Sequence, residues 1–313
     1  MKKIKYCLLA LTISLGACKK ETPTPADATP ALVNVSSAPS SFKQKVLIEE
    51  LTGAWCGYCP GGARTIEELQ TANGDLVVAA SVHTGQGEVM ALQDFTKELW
   101  DTLRFTNDNG VPSGLINRIA YNDIVIMNSG YFESRAKACL KMTAKCGLAI
   151  EGKKLSGNTV SVVVHAAFKQ ALTGNYNLTI YLTEDNVTGG TAYDQHNYLS
   201  KTGSSPDPQN YYYNFPPTIT GFHHMNVLRE ILTADFGDAI PANKLVAGGE
   251  FVLTKTVDIS GKNCDNPNTT YNVANLKIVA FVNLVGTTPT NSQVMNVQEA
   301  KFYSGQLTGK NWD

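Results

Sequence analysis

Charge is scarce in this 313-residue chain: 26 basic and 27 acidic side chains make up 17% of it and leave a formal net charge of −1. A nucleic-acid binder needs a basic face, so this balance excludes that class of partner. Histidine is scarcer still, at five residues. No Cys or His spacing supplies the second ligand pair that a zinc site needs. A phosphate loop, a calcium loop and a Ser–His–Asp set are also missing, so no metal or cofactor is expected. Beyond the first residues no stretch approaches the roughly twenty apolar residues of a membrane span. What the chain does hold is 43% hydrophobic residues, enough for one large core or two smaller ones.

The first residues point to a compartment. Lys2, Lys3 and Lys5 precede a short apolar run from Leu8 to Leu15, the order of a cleaved signal peptide. The run ends in Leu15-Gly16-Ala17-Cys18, which is similar to the lipobox of bacterial lipoproteins. The plainer alternative is an ordinary signal with a chance Cys. The lipobox resemblance implies cleavage before Cys18 and acylation of its thiol, with palmitate-like chains anchoring the protein to a bilayer. Two or three chains hold stably where one is marginal. Loss of residues 1–17, with three Lys and no acid, takes the net charge to −4.

Four segments follow from pattern: residues 1–18 as signal and lipobox, 19–42 as a disordered tether, 43–146 as an α/β domain and 147–313 as a β domain. The tether is rich in Pro, Ala, Thr and Ser and reaches roughly 25–30 Å when coiled. In the α/β domain, a strand at 46–51 is expected, then a helix from Pro60 to about Ala72, a strand at 76–82 and a helix over 90–104. A hairpin of 113–118 with 123–126 and a helix over 129–144 follow. After Cys146 the apolar residues alternate, as at Val160, Val162 and Val164, or Tyr176, Leu178, Ile180 and Leu182. Period two in several spaced strands predicts an antiparallel sandwich of immunoglobulin-like type. Residues 225–235 are the one place there for a short helical turn.

Cys56-Gly57-Tyr58-Cys59 stands between the first strand and its helix. A helix N-terminus offers free N–H groups and partial positive charge, which stabilise a thiolate on Cys56. Cys59, one turn on, is placed to resolve a mixed disulfide formed through Cys56. Zinc binding and a purely structural disulfide are the competing readings of the pair.

Trp55 before the pair, Glu50 six positions upstream of Cys56, and Val111-Pro112 far downstream together resemble the thioredoxin superfamily over residues 44–145. The resemblance implies that Pro112 is cis and shapes a substrate groove, that the Val111 backbone holds the substrate, and that Glu50 moves protons to and from Cys59. Trp55 and Tyr58 join Val111 and Pro112 as candidate client contacts. Gly57-Tyr58 is similar to the dipeptide of periplasmic disulfide isomerases. Pro60-Gly61-Gly62 departs from the usual helix formers.

A longer pattern is more specific. Glu49 to Pro60, the lipobox, Tyr181-Leu182-Thr183-Glu184-Asp185-Asn186 and His223 to Arg229 resemble the Bacteroidetes outer-membrane lipoprotein family typified by the twenty-eight-kilodalton outer membrane protein. That implies lipid attachment at the outer membrane, facing periplasm or cell surface. The functional expectation is thiol–disulfide exchange on protein clients, with a redox partner that recycles the pair. A non-enzymatic binding lipoprotein on the same scaffold is the alternative.

The other cysteines leave pairing open between Cys146–Cys264 and Cys139–Cys146, with Cys139 also read as a buried inert thiol. His223-His224 are weighed as ligands or a contact point, though neighbours on a strand face opposite ways. His165 is expected to be structural. The loop 187–222, with Tyr193, Tyr198, Tyr211, Tyr212, Tyr213 and Phe215, is either a recognition surface or packed onto its own sandwich.

Overall fold

A computed structural model describes residues 33–85, 87–92, 101, 110–260 and 270–313. The expected signal peptide, Cys18, most of the tether, most of the 90–104 helix and Cys264 lie outside the described residues.

The first half grows from Val46–Thr52 (β1), a strand buried along its whole length. It pairs in parallel with Val77–His83 (β2), from Val46 opposite Val77 to Thr52 opposite His83, so both strands end at one edge. Parallel neighbours need a crossover, and here Cys59–Asn73 (α1) supplies it. On the other side of β1, Ser113–Ile116 (β3) runs antiparallel with Ser113 opposite Leu51. Pro112 therefore enters the sheet at the edge where β1 delivers the chain to Cys56. Met127–Asn128 (β4) pairs with β3, and Phe132–Leu140 (α2) packs beside α1. The expected hairpin partner at 123–126 is instead a tight turn closed by a Tyr121–Ile124 bridge.

Strand periodicity sorts β1 between two cores. Val46 and Ile48 join Ile66, Leu69, Phe132 and Ala136 under the helices. Leu47 and Leu51 face the other way, toward Tyr181, Leu228 and Phe281. The adjacent acids divide by the same rule. Glu49 lies on the far face, where Arg118 Nε and Nη2 each donate at 2.7 Å and Tyr181 Oη donates at 3.1 Å. Glu50 lies on the α1 face.

The second half contributes Cys146–Lys154 (β5), Thr159–Phe168 (β6), Tyr176–Glu184 (β7), Gln195–His196 (β8), Thr218–Ile219 (β9), Val227–Ile231 (β10) and Asp238–Ala239 (β11). Glu250–Asp258 (β12), Leu276–Leu284 (β13), Val294–Tyr303 (β14) and Gln306–Leu307 (β15) complete it. A three-stranded antiparallel sheet, β12-β6-β5, packs on strands of the main sheet. Val162, Val164, Phe168, Leu178, Ile180 and Ile278 fill the space between. The alternation that predicts a two-layer β arrangement is thus realised.

The halves are not separated where the composition changes. The main sheet runs β15-β14-β13-β7-β10-β2-β1-β3-β4 without a break. Its joint is β10, antiparallel to β7 and parallel to β2 through Val227 opposite Ser81. Within 225–235, residues 227–231 are therefore strand, and no helical turn forms there. A five-residue segment gains its ladder bonds from two distant neighbours, and its own spacing does not decide between the two states.

Candidate active site

α1 starts at Cys59 with Pro60 in its first turn, where a missing N–H costs no hydrogen bond. Cys56 N–H donates to Gly53 O at 3.0 Å and Cys59 N–H to Cys56 O at 3.2 Å, which folds the Gly53–Cys59 turn onto the helix end. Cys56 and Cys59 form a disulfide with their Cα atoms 5.4 Å apart. Both are buried, at 4% and 1% exposure.

Val111 and Pro112 lie at this disulfide, and Glu50 lies beside Gly62 one turn further along α1. The Val111–Pro112 bond is cis, and the Val111 carbonyl oxygen lies 3.5 Å from Cys56 Sγ. Glu50 is 1% exposed on the α1 face of β1, with Oε2 accepting from Ser81 Oγ at 3.1 Å and Oε1 without a hydrogen-bond partner among the described residues. Burial pushes its carboxyl up to about 8, against a smaller lowering by Ser81. It is therefore protonated through most of the neutral range. The Gly62 departure now has a reason: a Cβ there would lie 2.8 Å from Glu50 Oε1 and 2.9 Å from Pro112 Cβ. Glycine lets α1, acid and proline approach this closely. A cavity of about 340 Å³ beside Glu50 is lined by Gln70, Ser81, His223 and Asn226 among others.

Trp55 and Tyr58 flank the pair with half-exposed rings. Trp55 Nε1 donates to Thr84 O at 2.7 Å. Tyr58 Oη lies 2.6 Å from Ser205 Oγ, and its ring meets Tyr198 edge-on at 5.4 Å. Tyr58, Gly62, Pro112, Ser129, Leu199 and Asn210 border an open groove of about 430 Å³. The tyrosine loop is thus packed on the dithiol end of the first half, a placement neither expectation for it contained.

Several residues at the site carry no sequence signal. Glu88 Oε2 accepts from Ala54 N–H at 2.8 Å, and Oε1 lies 3.6 Å from His83 Nδ1. Burial alone would raise the Glu88 carboxyl, but His83 and the N–H groups of Ala54 and Met90 together hold it below its usual range. His224 Nε2 is 2.9 Å from Tyr193 O, and burial, with the His83 ring 5.2 Å away, pushes it down to about 4. His223 lines the Glu50 cavity while His224 is buried, so the two point apart. Among the described residues no three Cys, His, Asp or Glu side chains cluster as a metal site. His165 bonds Glu250 Oε1 at 2.7 Å on the β6–β12 sheet.

The remaining described cysteines are unpaired thiols. Cys139 and Cys146 are both buried and do not pair with one another, while the Cys146–Cys264 alternative falls outside the described residues. Cys146 is fully buried at the start of β5 among the apolar side chains of the sandwich core. Burial there pushes its thiol up to about 12, which keeps it protonated and inert.

Comparison with known proteins gives a family. The profile described as outer membrane protein Omp28 matches residues 103–306. No curated protein matches the chain. Among solved structures, HBP35 of Porphyromonas gingivalis is similar at 19% identity with a TM-score of 0.60, covering 84% of this chain and 76% of that one. A protein from Agrobacterium tumefaciens aligns at 9% identity and a TM-score of 0.48, over 84% of this chain and 96% of the other. A domain of the outer membrane lipoprotein Omp28 from P. gingivalis aligns at 16% identity and a TM-score of 0.28, over 54% and 92%.

Proposed function

The chain belongs to the outer membrane protein Omp28 family, and on that premise we propose that it is a lipid-anchored thiol–disulfide oxidoreductase acting on protein clients outside the cytoplasm. The observation that carries this reading is one cluster: a Cys56–Cys59 disulfide at a helix start, the Val111-Pro112 segment against Cys56, and a buried Glu50 that meets Pro112 at Gly62 of the same helix. The first half is read as thioredoxin-like. Parallel β1 and β2 with antiparallel β3, and a fold likeness to HBP35, support that reading. The second half is read as an immunoglobulin-like module that covers and presents the dithiol, and the family's description as an outer membrane protein accords with an anchor at Cys18.

The chemistry follows from the geometry. In the reducing direction the Cys56 thiolate attacks a client disulfide; a Cys56–client S–S bond forms and the second client sulfur leaves as a thiolate, which takes a proton. Cys59, after giving its proton to the fraction of Glu50 that is ionised, attacks Cys56 Sγ. The intramolecular disulfide forms and the first client sulfur leaves. Two electrons have passed from the pair to the client, and a separate dithiol partner restores them. The reverse sequence oxidises a client. A group that titrates near 8 holds a proton in most molecules at pH 7, and its ionised fraction, which accepts this proton, grows as pH rises. Val111 and Pro112 would align the client strand, with Trp55 and Tyr58 beside it.

A second reading, a non-enzymatic binding lipoprotein, is favoured by one observation: the two cysteines are almost wholly covered. A Cys59→Ser variant decides between them. Without the resolving thiol, Cys56 should accumulate client proteins as mixed disulfides in cells, released by reductant. Absence of such adducts, together with a wild-type protein that neither reduces insulin nor refolds scrambled substrates, would favour the binding role.

A further inference from the structure

The active-site turn is held from outside its own half of the chain. Residues 195–198 run along residues 54–57 as a strap: His196 N–H donates to Ala54 O and Tyr198 N–H to Gly57 O, each at 2.8 Å. Pairing of Gln195 with Ile219 in β8 and β9 fixes the base of the strap. The Gln195 side chain, 2% exposed, is turned into the site. Its Nε2 lies 2.8 Å from Cys56 O, 3.1 Å from Ala54 O and 3.3 Å from Gly53 O, and also 3.1 Å from its own neighbour His196 O.

Two of these carbonyls already serve the turn itself, since Gly53 O accepts from Cys56 N–H and Cys56 O from Cys59 N–H. One amide group therefore ties together the oxygens on both sides of the Cys56 backbone. It also brings the positive end of a dipole to the residue that becomes a thiolate. In a dry site such a dipole acts at short range and without reorganisation.

Resting on the redox reading above, we propose that Gln195 is a positioning residue for the dithiol: its amide fixes the Gly53–Cys56 turn and favours the Cys56 thiolate, so the second half of the chain sets the redox poise of the first. Glu88 takes the Ala54 N–H at 2.8 Å and so holds the same turn through the other polar group of that residue. Gln195 and Glu88 thus act on the two polar ends of one peptide segment.

The test uses the full chain with Gln195→Met, which keeps length but removes the donors, and Gln195→Asn, which withdraws the amide by one methylene. Two quantities are read at pH 7: the rate of Cys56 alkylation in the reduced protein, and the equilibrium of the pair with glutathione. Loss of one such bond should slow alkylation about two- to tenfold in Gln195→Met. The equilibrium should move toward the disulfide by a similar factor, because the reduced form has lost its support. Gln195→Asn should fall between Gln195→Met and wild type. A role confined to packing would lower the unfolding temperature and leave both quantities at wild-type values, and that result in either folded variant overturns the proposal. A wild-type pair that does not exchange with glutathione overturns the redox reading itself, a distinguishable failure.

Discussion

Replacing Glu50 with Gln isolates the cost of keeping a buried acid under the first turns of α1. In the unfolded chain this carboxyl titrates near its ordinary 4.5, whereas in the fold burial moves it to about 8. Between those values the folded protein binds more protons than the unfolded one, so stability falls as pH rises. Each pKa unit corresponds to about 1.4 kcal/mol. The penalty is therefore about 1 kcal/mol at pH 5 and about 4 kcal/mol at pH 8. Gln at this position keeps the shape and does not titrate. Urea unfolding of the oxidised wild type and Glu50→Gln, at half-unit steps from pH 5 to 8.5, reads the difference directly. The advantage of Glu50→Gln should grow by about 3 kcal/mol between pH 5 and 8. A difference that stays constant with pH would show that Glu50 titrates as it does in the unfolded chain, and its role as a proton holder at neutral pH would fall with it.

A Cβ on Gly57 would meet the Tyr198 ring at 2.2 Å, so Gly57→Ala should cost about 1–3 kcal/mol, measured by chemical denaturation. Tyr198→Ala in the same chain should recover most of that loss, a coupling that a double-mutant cycle reports. His224 titrates near 4 in the fold, against 6.5 ordinarily, so the folded state loses stability as pH falls below 6.5. His224→Asn should remove about 2–3 kcal/mol of the difference between pH 7 and 4.5, read by the same unfolding assay.

How much of this was legible in the sequence depends on how local each feature is. The Cys56–Cys59 pair, its helix start and Glu50 lie within one strand–turn–helix, where a motif and a period-two count suffice. Pro112 is distant in sequence, yet a recurring motif flags it. The β10 joint was not legible, because Val227-Leu228-Arg229-Glu230-Ile231 suits either helix or strand and is decided by β2 and β7 on either side. Nor was the Gln195 strap legible, since one Gln in a polar loop has no pattern and its partners stand about 140 residues upstream. The change of grammar at Cys146 is real, but hydrogen bonding through β10 carries one sheet past it. Counting cysteines left the pairing of Cys139 and Cys146 open, because burial of both in apolar packing as free thiols leaves no mark in their spacing.

The central claim is that Cys56 and Cys59 are a working redox pair and not a structural staple. Equilibrating the folded wild-type protein across glutathione buffers, and counting free thiols at each by acid quench and mass spectrometry, tests it directly. A reversible two-electron transition is expected in the range of about −120 to −270 mV spanned by catalytic dithiols. A pair that stays oxidised below about −300 mV, where structural disulfides lie, would contradict it.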